Sequence, residues 1–233
     1  MRALLGRNNR IANCAVIHNN VRIGDNNFIG KGVVVYPNTT IGSNNHIFNG
    51  NVIGECPVSS SDMYRDYNVD SHKGVVIGNN NLFHVKNIIF QGIDNPTRIG
   101  DNNKFLAEGH IGHDACIDNN VTLYPRVICG GHSVLLDSCS VGMYASIHQR
   151  CVVGQYSMVG GAGMTKRPVF PFYVSIGNKI HRLNDSKIPP EVARYDSVLR
   201  GLNNQFASGN LEFTGTGNAF IDGVIRTYAR ALR

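Results

Sequence analysis

The chain has 233 residues, 42% hydrophobic but only 16% charged, with 26 glycines and no tryptophan. That balance excludes a disordered chain, and no apolar run reaches the ~18–20 residues of a membrane-spanning helix. Of the formal charge of +6, residues 166–233 carry +5, and they lack the interleaved aromatics or reading motif of a nucleic-acid binder. Such a basic segment suits an acidic carrier protein or substrate phosphates.

The N-terminus, MRALLGRNNR, turns polar after a short apolar pair, so no secretory signal is read there. Six cysteines lie far apart without a C-x-x-C pair, as reduced thiols of a cytoplasmic protein would.

From Ile11 an aliphatic residue recurs every six positions: Ile11, Ile17, Ile23, Ile29, Val35, Ile41, Ile47 and Ile53. The frame resumes at Ile77, Phe83 and Ile89. It then runs unbroken from Ile99 through Phe105, Ile111, Ile117, Leu123, Cys129, Leu135, Val141, Ile147 and Val153 to Val159. Neither a helix nor a flat strand has a period of six. A coil of hexapeptides does, each unit pointing one aliphatic inward and closing with a turn. The turns read GDNN, GSNN and GNNN, and glycine and asparagine accept left-handed backbone angles cheaply. Three hexapeptides make one triangular coil, so each aliphatic stacks on the one 18 residues later.

Two gaps mark loops extruded from the coil, residues 55–75 and, more briefly, 91–98. Beyond Gly163 the frame dissolves. From PPEVARY onward the spacing turns helical, with Phe220, Ile221, Val224, Ile225 and Tyr228 on one stripe. The expected division is a β-helix over 1–178 and an α-helical cap over 179–233.

His113 follows the inward Ile111 by two positions, His132 follows Cys129 by three, and His148 follows Ile147 by one. Their imidazoles therefore climb one outer edge on successive coils, with His110 beside His113. Acid/base work needs one histidine whose far nitrogen is held by a carboxylate, and Asp114 is the nearest.

The stretch HIGHDACIDNNVTLYPRVICGGHSVLLDSCSVGMYASIHQRCVVGQYSMVGGAG resembles the core of the UDP-N-acetylglucosamine O-acyltransferases, the LpxA family of hexapeptide-repeat acyltransferases, which opens lipid A synthesis. The likeness is close over residues 99–178. It implies a left-handed parallel β-helix, a homotrimer with sites between subunits, and no bound cofactor. It also implies transfer from an acyl carrier protein, or from CoA, to a nucleotide sugar. By residue it implies His113 as general base, Asp114 as its orienting partner and Gly131 as the oxyanion N–H donor. His110, His132, His148 and Gln149 would line the acyl and sugar pocket. Gly161 would limit acyl-chain length, and Asn184 would meet the nucleotide. In the longer first loop the family's Q-D-L-K reads SDMYR, which keeps Asp62, puts Tyr64 at the lysine position and leaves Arg65 as a substitute. These departures leave open CoA-dependent N-acylation of a nucleotide-linked amino sugar. The fold's zinc branch, the γ-class carbonic anhydrases, uses H-x-x-x-x-H, which is absent here. A non-catalytic β-helical scaffold predicts disrupted histidines, and these are intact.

Overall fold

The computed structural model describes residues 2–57 and 73–233. The chain winds into the expected left-handed parallel β-helix. Its walls are three parallel sheets of mostly two-residue strands. The first runs from Leu4–Leu5 to Val152–Val153, the second from Arg10–Ile11 onward, and the third from Val16–Ile17 to Met164–Thr165. Pairing is in register at 18 residues, as in His110↔Ile128↔Ser146. Ile41 pairs with Ile77 and Ile77 with Ile99. The first excursion therefore inserts a full coil's worth of chain, and the second only four residues.

The six-residue frame is the core. From Ile23 to Val159 every in-frame residue is buried, and Phe83 and Phe105 stack at 4.6 Å. Ile11 and Ile17, in the first coils, are only partly buried. The paired asparagines divide their labour. In each of GDNN, GSNN and GNNN the first member of the NN pair, such as Asn26, Asn44 or Asn80, takes a left-handed angle near φ 60° at the corner. The second turns inward. Asn9, Asn27, Asn45, Asn81 and Asn103 form a ladder in which each amide oxygen accepts the backbone N–H of the next at 2.8–2.9 Å. The side-chain amides of Asn9, Asn27, Asn45 and Asn81 donate to the carbonyls of Gly24, Gly42, Gly78 and Gly100. Turn propensity alone does not anticipate this internal ladder.

At the far end, strands Tyr173–Ile176 and Lys179–Leu183 pair antiparallel and finish the second wall. The segment expected to be helical thus begins with a strand. A 3-10 turn, Pro190–Tyr195, leads into α1 (Asp196–Ala207), and Ser208–Asn218 separates it from α2 (Ala219–Ala231). Ile221, Val224, Ile225 and Tyr228 of α2 are buried in a second core with Phe170, Phe172 and Tyr173, while Phe220 stays over one-third exposed. Among the described residues no helix is long and apolar enough to cross a membrane, and all six cysteines are free thiols.

Candidate active site

His110–Ile111 is a strand of the third wall, and the chain turns after it toward the first wall. Inward Ile111 anchors that turn, so His113 and Asp114 fall on the outer edge by necessity of the frame. Asp114 occupies the left-handed corner position at φ 59°, and His132 the same position one coil on at φ 57°. Aspartate and histidine both enter this region more readily than most residues.

His113 Nδ1 lies 2.8 Å from Asp114 Oδ2. The Asp114 side chain is 1% exposed, against 33% for His113. Oδ2 also accepts the Ile93 N–H at 2.9 Å, while Oδ1 accepts those of Asp94 at 2.9 Å and Asn95 at 2.6 Å. Burial by itself would push this carboxyl up. The backbone N–H groups of Asn95, Ile93 and Asp94, together with His113, outweigh it and hold the group below the ordinary carboxylate range. An ionised carboxylate has only acceptors to offer, so Nδ1 of neutral His113 carries the proton and Nε2 is left as the base.

Nε2 faces Gly131. A Cβ added there would stand 2.7 Å from it, so any larger residue would displace the imidazole. Among the described residues nothing accepts the Gly131 N–H. A base nitrogen thus stands beside the residue that carries an unclaimed backbone donor. The His132 ring stands edge-on to His113 at 5.2 Å, its Nε2 3.8 Å from Asp94 and 3.9 Å from Asp114. His110 packs against Phe90 at 4.9 Å, and burial lowers its pKa, which keeps it neutral near pH 7. His148 and its neighbour Gln149 are exposed farther along the same edge, stacked on Gly130 and Gly131.

The ligand atoms of His113, Asp114 and His132 lie within 4.8 Å of one another, close enough for a metal ion. The carboxylate argues against one. Its roughly four lone-pair directions are taken by three N–H groups and the imidazole, and a cation would have to evict one of them.

Not every expected residue joins this group. Gly161 sits on the edge between the second and third walls, above Met143. Asn184 is buried in the cap, its amide donating to the Tyr156 carbonyl at 2.8 Å and accepting from Ser186. Both polar atoms of that side chain are engaged within the chain. Asp62 and Arg65 lie outside the described residues. Sequence reasoning missed Asp94, Thr97 and the Ile93–Asn95 amides. Backbone donors leave no residue signature, although the four-residue excursion did flag the place.

The bacterial transferase hexapeptide family (six repeats) matches residues 20–55. An acyl-[acyl-carrier-protein]–UDP-N-acetylglucosamine O-acyltransferase of Campylobacter concisus is 37% identical over 133 residues, 56% of this chain and 49% of its own length. The one from Nautilia profundicola is 33% identical over 108 residues, 45% and 42% respectively. The matches therefore span under half the length of these curated relatives. Among solved structures, the UDP-N-acetylglucosamine acyltransferase of Campylobacter jejuni superposes with a TM-score of 0.75 at 28% identity, covering 99% of this chain and 90% of that one. The chain is a hexapeptide-repeat β-helix similar to these acyltransferases. The alignment with the C. jejuni structure spans nearly all of this chain, against about half for the curated relatives.

Proposed function

We propose that the chain is an acyltransferase that moves an acyl group from an acyl carrier protein thioester to a hydroxyl of UDP-N-acetylglucosamine. The observation that carries this reading is the free Nε2 of His113 packed against Gly131, whose N–H has no acceptor among the described residues. The names of the relatives supply donor and acceptor.

His113 Nε2 takes the proton of the acceptor hydroxyl as its oxygen attacks the thioester carbonyl carbon. The tetrahedral oxyanion forms against the Gly131 N–H, a preorganised donor in a partly desolvated site. Collapse breaks the carbon–sulfur bond, and the imidazolium returns its proton to the departing thiolate. Asp114 stays ionised throughout and keeps the imidazole in the productive tautomer. No covalent enzyme intermediate is needed, so the cysteines have no part.

A homotrimer accords with the third wall, whose outer face carries Ile88, Ile128 and Met164 at 38–50% exposure in the His110 strand stack. A neighbouring wall would cover them and close the cleft. His132, His148 and Gln149 would then border the substrates. Gly161 would end the acyl channel, and Asp62 and Arg65 would hold the sugar nucleotide.

Purified protein given acyl-carrier-protein and CoA thioesters in parallel, with UDP-N-acetylglucosamine, should yield the acylated sugar nucleotide from the carrier-protein donor by mass spectrometry. Absence of product from both donors refutes the reading. Asp62→Ala should raise the acceptor KM about 10–100-fold through loss of a charge-assisted hydrogen bond. An unchanged KM would move sugar recognition elsewhere.

A further inference from the structure

We propose that the short excursion 91–98 is the positioning element of the His113–Asp114 pair, with Gly92 and Thr97 its determinants. This rests on the reading of His113 as the base. The excursion adds only four residues to a coil, yet three consecutive N–H groups, from Ile93, Asp94 and Asn95, converge on the single Asp114 carboxylate. Successive amides aimed at one anion form a nest, and a nest fixes both the charge and the rotamer of what it holds.

Thr97 closes the device from the other side. It is buried, and its Oγ1 accepts the Asp114 backbone N–H at 2.9 Å. That bond pins the left-handed corner from which the carboxylate is presented. Gly92 is the pivot. A Cβ there would run into the Asn95 carbonyl and lie 3.0 Å from the Thr97 nitrogen, all backbone. Only glycine lets the excursion fold tightly enough for Asn95 to reach Asp114. The feet of the longer excursion brace the pivot: Lys73 N–H donates to the Gly92 carbonyl at 2.8 Å, and Gly92 N–H to the Gly74 carbonyl at 3.0 Å.

With every acceptor direction of Asp114 filled, the carboxylate cannot turn away. His113 is then locked with its proton on Nδ1. These are positioning residues: neither reaches the reacting atoms, and each acts through Asp114.

The test reads the tautomer directly. Histidine-¹⁵N-labelled protein is examined by NMR above the imidazole titration, without substrate, and His113 is assigned by its loss in His113→Ala. Wild type should hold the Nδ1–H tautomer. Gly92→Ala and Thr97→Val should admit the Nε2–H form, and Thr97→Ser, which keeps the acceptor oxygen, should restore wild-type signals. In acyl-transfer assays the two disruptive variants should lose roughly 100-fold in kcat, the cost of a displaced catalytic group, with acceptor KM unchanged. Persistence of the Nδ1–H tautomer in Thr97→Val, or its absence from wild type, overturns the proposal. So does a loss confined to KM. The tautomer is measured without turnover, so a wild-type protein with locked His113 and no acyl transfer would refute the proposed function alone. If Gly92→Ala does not fold, the Thr97 pair decides.

Discussion

In the coils up to Asn81 the left-handed corners are held almost wholly by asparagine or glycine: Asn8, Asn20, Asn26, Gly32, Asn38, Asn44, Gly50 and Asn80. Farther along, Asn102 and Asn120 keep the pattern, but most of the same corners hold other residues, among them Lys86, Glu108, Asp114, Arg126, His132, Ser138, Tyr144, Arg150 and Tyr156. The interior changes too. The asparagine ladder passes from Asn9 to Asn103 and ends on the Val121 N–H, and the same column continues with Val121, Cys139 and Ser157. One backbone is thus filled in two ways. The first half carries residues suited to the coil; the second carries side chains with chemistry at positions where a left-handed angle costs an ordinary residue roughly 1–2 kcal/mol. The site histidines His110, His113, His132 and His148 lie in that second half, and His132 itself takes a left-handed corner, as expected where strain is kept for function.

The sharpest break in this comparison is His113→Ala. Loss of a general base should cut acyl transfer about 10²–10⁴-fold. The unfolding midpoint should barely move, because the ring projects from the outer edge and fills no core. Near wild-type turnover would mean that His113 is not the base, and that Asp114 holds its left-handed corner for some other end.

How much of this could be read from the residues depended on whether a side chain carried the information. The six-residue frame named the core from Ile23 to Val159 and placed His113 and Asp114 on the edge, because inward and outward are fixed by counting. The first asparagine of each NN pair was legible as a corner residue. The second was not, because its ladder requires five coils to be stacked before any amide meets its partner. The Ile93–Asn95 donors are backbone and have no letter of their own. Asn184 was assigned to the nucleotide by likeness alone, and the side chain is tied to Tyr156 and Ser186.

The first half is broken most severely at its ladder. Asn45 accepts from Asn81 N–H and Nδ2, and donates to Asn27 and to the Gly78 carbonyl. Asn45→Ala would leave several of these groups buried and unpaired, each costing about 1–3 kcal/mol. The expected loss is about 3 kcal/mol in denaturant unfolding. A loss below about 1 kcal/mol would make the ladder incidental to stability.

Where the ladder ends, the glycine column Gly6, Gly24, Gly42, Gly78 and Gly100 gives way to Asp118, and the Asn103 side-chain amide is buried without an acceptor. Burial, then the neighbouring Asp137, pushes the Asp118 carboxyl up to about 6. The folded state therefore binds a proton more tightly than the unfolded one between the ordinary carboxylate range and pH 6. Stability from this group is present at the acid end of that window and is lost as pH rises through it. Asp118→Asn should flatten that decline and stabilise the protein at pH 8 by about 1–2 kcal/mol, at 1.36 kcal/mol per unit with a discount for solvent screening. Thermal unfolding at pH 4.5 and pH 8 measures it, and an equal effect at both would locate the gain elsewhere.

The smallest effect tests the corners themselves. Arg150 and Asn44 occupy equivalent left-handed positions at φ 59° and 60°, both exposed, in opposite halves of the coil. Among the described residues neither side chain holds a hydrogen bond or ion pair, so backbone preference is isolated from contact energy. Asparagine visits this region more readily than arginine because its short amide relieves the crowding locally. Arg150→Asn should therefore stabilise the protein by about 0.5–1 kcal/mol, and the mirror substitution Asn44→Arg should destabilise it by a similar amount. Denaturant midpoints at constant m-value would show the pair as equal and opposite. If both substitutions were neutral, the corners would carry no strain, and the second half could have recruited its arginines, tyrosines and histidines at no cost to the fold.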